Sequence, residues 1–324
     1  MVLCCGEALI DMIPERDSAG RNIYVPCYGG SPYNTAIAAG RILGVRDSRP
    51  QTAFFSRLST DFFGEELARN LEANNVSTKL IRRAPNETTT LGFVKLDEGK
   101  EPSYIFYTSG AADRSLALTD IPPALPVEVH CLLFGSISMT MEPSASAIES
   151  LVFREAKNDI VISHDPNVRA MMIGSREAWV TRFENWAAAS TIIKISAADF
   201  DYIYPGLALE SCIKKLLALG PCLVVATLGK DGALACLHTG GGDIKVSAPV
   251  VDLPVTDTIG AGDTFHGAFL SFLELEEKLN RRALVCLSES ELRKALVFAN
   301  KAASLVCSRK GANPPLLSEI NALP

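Results

Sequence analysis

The stretch DTIGAGDTFHGAF, residues 257–269, sets two glycines and a carboxylate directly ahead of an apolar helical face. Phe265, Ala268, Phe269 and Phe272 fall at i, i+3, i+4 and i+7, which predicts a helix beginning near Ala261 or Gly262. Gly260 and Gly262 let the chain turn sharply and let a ligand approach the backbone with no Cβ in the way. The free N–H groups of a first helical turn, at the positive end of the helix dipole, suit an anion. Asp263 falls in that same turn, where it would repel one. It is therefore either a base that takes a proton from an attacking hydroxyl or an acid favoured by the helix dipole. These residues alone leave both readings open.

Outward from this stretch, short apolar runs alternate with segments of helical period. MVLCC (1–5), TAFFS (52–56), HCLLFG (130–135), DIVISHD (159–165), TIIKIS (191–196) and PCLVVATLG (221–229) read as buried strands. Between them YNTAIAAGRILG (33–44), DFFGEELARNLEANN (61–75), SASAIESLVFREAK (144–157), REAWVTRFENWAA (176–188) and LESCIKKLLALG (209–220) read as helices. That order predicts an α/β fold, a mostly parallel sheet covered on both faces. RNIYVPCY (21–28) and TTTLGFVKLDEGKEPSYIFYTSG (88–110) show strand alternation without helices, the second as a hairpin around DEGKEP. They form either a small separate sheet, a lid, or an antiparallel extension of the main one. TDIPPALPVEV (119–129) reads as a loop, so the chain is expected to be one domain over 1–324 with a lid at about 12–28 and 88–109.

Composition removes several functional classes. The chain has 324 residues, 48% of them hydrophobic and 21% charged, and a net charge of −6. With no Lys/Arg run longer than two, nucleic acid is not an expected partner. No run of about 18 apolar residues marks a membrane span, and MVLCCGEALIDMIPERD lacks the basic start and cleavage pattern of a signal peptide. Nine cysteines, an odd number without a CxxC pair, sit mostly in apolar runs and read as reduced core residues of a cytoplasmic protein. Four histidines show no zinc spacing. The chain contains no GxxxxGK[ST] loop, no GxGxxG after a strand, and no HRD or DFG triplet, which excludes P-loop enzymes, dinucleotide-binding Rossmann domains and protein kinases.

DTIGAGDTFHGAF resembles the C-terminal signature of the ribokinase-like (PfkB) family of sugar and nucleoside kinases. GGSPYNTAIAAGRIL (29–43) resembles that family's N-terminal signature, and GEALIDMIP, DPNVR, KIS followed by Asp199, TLGKDGA and FANKAASLVCSRKGA follow in the family's order over essentially the whole chain. CCGEALIDMIP, TTTLGFVKL, FYTSGAAD and DPNVR resemble the bacterial fructokinases most. The resemblance implies a three-layer ribokinase-like sandwich with a β-sheet lid. It also implies transfer of the γ-phosphoryl group of ATP to a sugar hydroxyl, fructose first, with 2-keto-3-deoxygluconate, ribose or a nucleoside as alternative acceptors. A sugar- or nucleotide-sensing protein without catalysis is the alternative from another class, against which the intact Asp263 and Gly-Ala-Gly turn stand.

By the same resemblance Asp263 is the base, Gly260, Ala261 and Gly262 form the anion hole, and Arg169 clamps a phosphate or sugar oxygen. Asp11, Gly29, Gly30, Asn34, Phe106 and Asn167 would hold the sugar. Read without it, Gly29 and Gly30 are a turn, Asn34 a helix cap, Asp11 a solvated strand end and Arg169 half of a surface salt bridge. Lys194, Thr227, Gly229, Gly232, Gly262 and Asn300 would line ATP, although TLGKDG also reads as a hairpin turn and Asn300 as an exposed helical residue. Asp199 stands where the family holds hydrated magnesium, shorter than the usual Glu. Asp257, Ser308 and Gly311 resemble a site for a monovalent cation such as potassium, or a helix C-cap at Gly311. The pocket walls are expected at Phe93, Phe106, Tyr107, Arg114 and near Asn34. The lid strands offer edges that a second subunit would cover, which implies a homodimer.

Overall fold

The computed structural model describes residues 1–95 and 103–324. In chain order the strands used below are β1 (Val2–Cys5), β2 (Leu9–Arg16), β3 (Asn22–Gly29), β4 (Thr52–Phe55), β5 (Val76–Ser77), β6 (Thr90–Lys95), β7 (Ser103–Tyr107), β8 (Cys131–Gly135), β9 (Val161–Asp165), β10 (Ile192–Ser196), β11 (Leu223–Thr227), β12 (Ala233–Thr239) and β13 (Gly242–Ala248). The helices used below are α1 (Ser31–Leu43), α2 (Phe62–Ala73), α3 (Ser144–Glu155), α4 (Arg176–Ala189), α5 (Ala197–Ile203), α6 (Leu209–Leu219), α7 (Ala261–Leu275), α8 (Arg281–Leu284) and α9 (Glu289–Cys307).

Nine strands form one sheet in the order β13-β12-β11-β10-β9-β8-β1-β4-β5. Neighbours pair parallel except at β11–β12 and β12–β13, the antiparallel edge. Successive side chains of a strand point to opposite faces, and β1 shows what that does here. Val2 and Cys4 enter a core shared with Ile37 of α1, Leu67 of α2, Phe265 of α7 and Leu292 of α9. Leu3 and Cys5 enter the other core, with Ile148 of α3, Trp186 of α4, Phe200 of α5 and Ile213 of α6. Burial on both faces is why these strands read as unbroken apolar runs.

The segments that break the rhythm do not extend the main sheet. With β2 they make a separate four-stranded sheet, β7-β6-β2-β3. Phe93 lies opposite Ile105 across the antiparallel β6–β7 pair, and the DEGKEP turn expected between those strands falls outside the described residues. All nine cysteines are free, but Cys286 is exposed rather than in the core. No helix among the described residues is long and apolar enough to cross a membrane.

Candidate active site

The carboxyl ends of the parallel strands, where open α/β sheets bind ligands, open here into a cleft of about 860 Å³ under the small sheet. Asp11, Gly30, Asn34 and Phe106 line its lid end; Asn167, Arg169, Lys194 and Asp199 line the strand ends. Gly260, Ala261, Gly262 and Asp263 form its floor, and Thr227, Gly229, Gly232 and Asn300 line the far end. Gly29, Asp257, Ser308 and Gly311 are not among its lining residues, nor are Phe93, Tyr107 and Arg114.

Gly260 precedes α7 in the left-handed conformation, φ 74°, which glycine adopts without a Cβ penalty. A Cβ there would also lie 2.8 Å from Ala312 Cβ. The Ala261 N–H donates to the Thr258 carbonyl at 3.3 Å, while those of Gly262 and Asp263, in the first turn, have no acceptor within the helix. Asp263 is buried. Ser31 Oγ donates to its Oδ1 at 2.7 Å and Asn34 Nδ2 to its Oδ2 at 3.0 Å. Asn34 is therefore not the cap of α1; Gly30 holds that position, and Asn34 reaches across from the next turn. Burial pushes the Asp263 carboxyl up to about 6, with Asp165 adding to the rise; the bonds from Ser31 and Asn34, and the Lys194 ammonium, hold it down.

Beneath this turn lies a buried ion cluster. Lys194 Nζ is 2.9 Å from Asp165 Oδ2, and both side chains are almost wholly inaccessible. His266 Nδ1 lies 3.7 Å from the same oxygen, and its Nε2 is 2.7 Å from Ser163 Oγ. Burial alone would neutralise Lys194, yet the Asp165 and Asp199 carboxylates hold its pKa above the ordinary value. Burial likewise favours the neutral form of Asp165, but Lys194 and His266 hold its carboxyl well below the usual range. A fixed positive charge thus sits under the glycine turn: a Cβ on Gly262 would come within 3.1 Å of Lys194 Nζ.

At the lid end the carboxylate of Asp11 lies flat between two neighbouring strands. A Cβ on Gly29 of β3 would collide with its Oδ2, and one on Gly92 of β6 would lie 2.7 Å from its Oδ1. Gly29 thus acts by leaving room for Asp11, not by touching the cleft. Burial pushes Asp11 up to about 7; Arg169 opposes this, while Asp263 and Glu7 reinforce it. It is a partly buried mid-strand group, not a solvated strand end. Arg169 Nη1 donates to Asn167 Oδ1 at 2.6 Å, and Asn167 itself has φ 37°. The rings of Tyr104 and Phe106 on β7 face the cleft, 5.7 Å apart and only 2° from parallel. Alternation sends Ile105 and Tyr107 outward, 64% and 63% exposed, and Phe93 packs edge-on against Tyr24 and Tyr107 on that outer face.

At the far end TLGKDG is indeed a hairpin turn, joining the antiparallel β11 and β12, and it lines the cleft as well. The Leu228 N–H donates to the Gly232 carbonyl at 2.8 Å. Asn300 is buried, its Nδ2 donating to the carbonyls of Ala248 and Pro249 at 2.9 Å each. Asp199 completes the capping box that Ser196 opens at the start of α5: its Oδ2 accepts from Ser196 N and Oγ at 3.0 and 2.6 Å, and its Oδ1 from Val168 N at 2.8 Å. Among the described residues no group of three or more His, Cys, Asp or Glu side chains could hold a metal ion. Asp257 ties its own loop to Gly311, accepting from Ile259 N at 3.0 Å and Gly311 N at 2.9 Å. The Ser308 hydroxyl turns back to the Leu305 carbonyl at 2.8 Å.

Glu7, Ser31, Tyr104, Ser163, Asp165 and His266 are among the residues of this site that lie outside the sequence expectations. Glu7 carried a signal, a carboxylate inside an otherwise apolar run. Asp165 and His266 carried none beyond their places in two motifs.

The family model described as pfkB family carbohydrate kinase matches residues 1–319. The chain is 38% identical over 293 residues to a fructokinase of Rhizobium leguminosarum bv. trifolii, covering 90% of this chain and 86% of that one. A fructokinase from Xylella fastidiosa, solved with bound ATP, superposes with a TM-score of 0.87 at 27% identity, covering 99% of this chain and 97% of that one. A fructokinase from Vibrio cholerae O395, solved with fructose, ADP and calcium ion, gives a TM-score of 0.82 at 26% identity, covering 98% and 95%. The layered sheet with its small separate sheet is the ribokinase-like fold, and the chain belongs to the pfkB family of carbohydrate kinases.

Proposed function

We propose that this sugar kinase phosphorylates fructose at the expense of ATP, with Asp263 as the base. The observation that carries the reading is the placement of a buried, proton-accepting carboxylate at the glycine turn, between a lid carrying Asp11 and Phe106 and a far end lined by Thr227 and Asn300. Asp263 takes the proton of a sugar hydroxyl. The hydroxyl oxygen then bonds to the γ-phosphorus, and the bond from phosphorus to the bridging oxygen breaks, releasing ADP. The N–H groups of Gly262 and Asp263 and the α7 dipole, backed by Lys194, stabilise the charge on the transferred group. Asp11, Asn34 and Asn167 bond the other hydroxyls, and Arg169 holds a phosphate or sugar oxygen.

Magnesium, when bound with the nucleotide, neutralises phosphate charge; such an ion is held largely by phosphates and water, and so needs no protein cluster. Asp199, with its oxygens already engaged, would meet it through water. Asp257 with its loop, Ser308 and Gly311 are proposed as the monovalent-cation site, and the cytoplasm as the compartment.

One observation favours a riboside instead: the parallel Tyr104 and Phe106 rings are able to stack on a base. The test is kcat/KM across fructose, ribose, 2-keto-3-deoxygluconate and adenosine. Fructose is expected to lead by at least about tenfold, the discrimination that one well-placed hydrogen bond supplies. Adenosine in that position would replace the fructose reading. Tight sugar binding with no sugar-stimulated ADP release would end the kinase reading.

We also propose a homodimer through the lid. Its outer face carries Tyr24, Tyr28, Ile105 and Tyr107, all exposed, the kind of apolar surface that a partner covers. Sedimentation velocity at micromolar concentration should give twice the chain mass, and Ile105→Glu should halve it. A monomeric wild-type protein would contradict this.

A further inference from the structure

Asp263 is gripped from α1, and the grip runs back to the first strand crossing. The Ser31 N–H donates to Glu7 Oε1 at 3.0 Å. Glu7 Oε2 accepts from Ser138 N at 3.2 Å and from Ser138 Oγ, and the Glu7 N–H donates to Ser138 Oγ at 2.8 Å. Glu7 is only 1% exposed. It sits at the N-terminus of α1, where its Oε1 takes one of the helix's otherwise free N–H groups. The fit around it is close: a Cβ on Gly30 would lie 2.6 Å from the Glu7 carbonyl, and one on Gly6 would lie 2.5 Å from Pro32 Cγ. Ser31 therefore has a fixed backbone, and its hydroxyl donates to Asp263 Oδ1.

We propose that Ser31 is a positioning residue that orients Asp263 and keeps it ionised toward lower pH, and that Glu7 with Ser138 holds Ser31 in place. The proposal rests on the reading of Asp263 as the base. A hydroxyl that donates to a carboxylate stabilises the charged form. The other groups acting on Asp263 are Asn34 from α1, Asp165 and Lys194 from below, and Asp11 from the lid side. The Asp165 and Asp11 carboxylates oppose ionisation of Asp263, while the Asn34 amide and the Lys194 ammonium favour it, so Ser31 acts on a carboxyl pushed up to about 6. Its loss should move the group within an accessible range of pH.

The test is the kcat/KM profile from pH 5 to 9 at fixed nucleotide for wild type, Ser31→Ala and Ser31→Thr, with Asp263→Asn alongside. The nucleotide's own ionisation is common to all and cancels in the comparison. The acid limb of Ser31→Ala should lie about half to one pH unit higher, so that activity at pH 6 falls roughly two- to fivefold more than at pH 8. Ser31→Thr, which keeps the hydroxyl, should return the limb toward wild type. A Ser31→Ala profile that falls by the same factor at every pH shows a merely structural role and overturns the proposal. So does an unshifted profile. Turnover retained in Asp263→Asn defeats the base assignment itself, a different result from an inactive Asp263→Asn with an unshifted Ser31→Ala limb.

Discussion

Asp263→Asn is expected to lower kcat by roughly 10²–10⁴-fold, the range a positioned general base supplies. The Michaelis constant for sugar should change little. The amide is nearly isosteric, so the bond from Ser31 survives at one heteroatom and the partner on Asn34 re-pairs by flipping its own amide. The fold should hold, because the wild-type carboxyl is already pushed toward its neutral form by burial. Only the acceptance of a proton is lost. Steady-state kinetics with saturating nucleotide make the check, and a variant within about tenfold of wild type would remove Asp263 from the mechanism. The wild-type enzyme should itself lose kcat/KM as pH falls through about 6, where this carboxyl takes up its proton.

Lys194→Met should be costly in a different way. It leaves Asp165 buried and without its cation, and breaking a buried pair from one side typically costs about 3–5 kcal/mol. At roughly 2–4 °C per kcal/mol, Tm should fall on the order of 10 °C. Activity should fall as well, since the cation beneath the glycine turn also favours the charged form of Asp263. The double variant Lys194→Met with Asp165→Leu separates the effects: removing both charges should recover much of the stability and none of the activity. An unchanged Tm in the single variant would mean that the pair is not the buried, mutually dependent unit described above.

The buried parallel strands were legible because a strand covered on both faces has no polar side to show; TAFFS and LVVAT leave no alternative of that length. The start of α7 was legible from its glycines and its phenylalanine spacing. β2 was not, because LIDMIPER places Asp11 and Glu15 on one face and a proline on the other, which reads as neither a buried strand nor a clean alternation. The edge strand β13 hid for a similar reason, its two faces mixed. At the site, single residues inside motifs stood out, while their partners did not. Asp165 and Lys194 are 29 residues apart, and Ser163 and His266 are 103 apart. Nothing local in either pair announces that strand register and helix packing will join them. Ser31, within GGSPYNT, gives no sign of its role until Asp263, 232 residues on, is in place beside it.

The small sheet has a consequence for how such a chain tolerates insertions and deletions. Asp11, Tyr104 and Phe106 face the cleft, and Ile105 and Tyr107 face away, purely by parity along their strands. Adding one residue within β2 or β7 would exchange the two sets from that point on. Ile105 and Tyr107 would turn into the cleft in place of Tyr104 and Phe106, or the Asp11 carboxylate would be carried to the outside. Two residues added together would restore the order. The lid can therefore drift in length by pairs, and a lineage that changed it by one would lose the cleft-facing set and the apolar outer face in the same event.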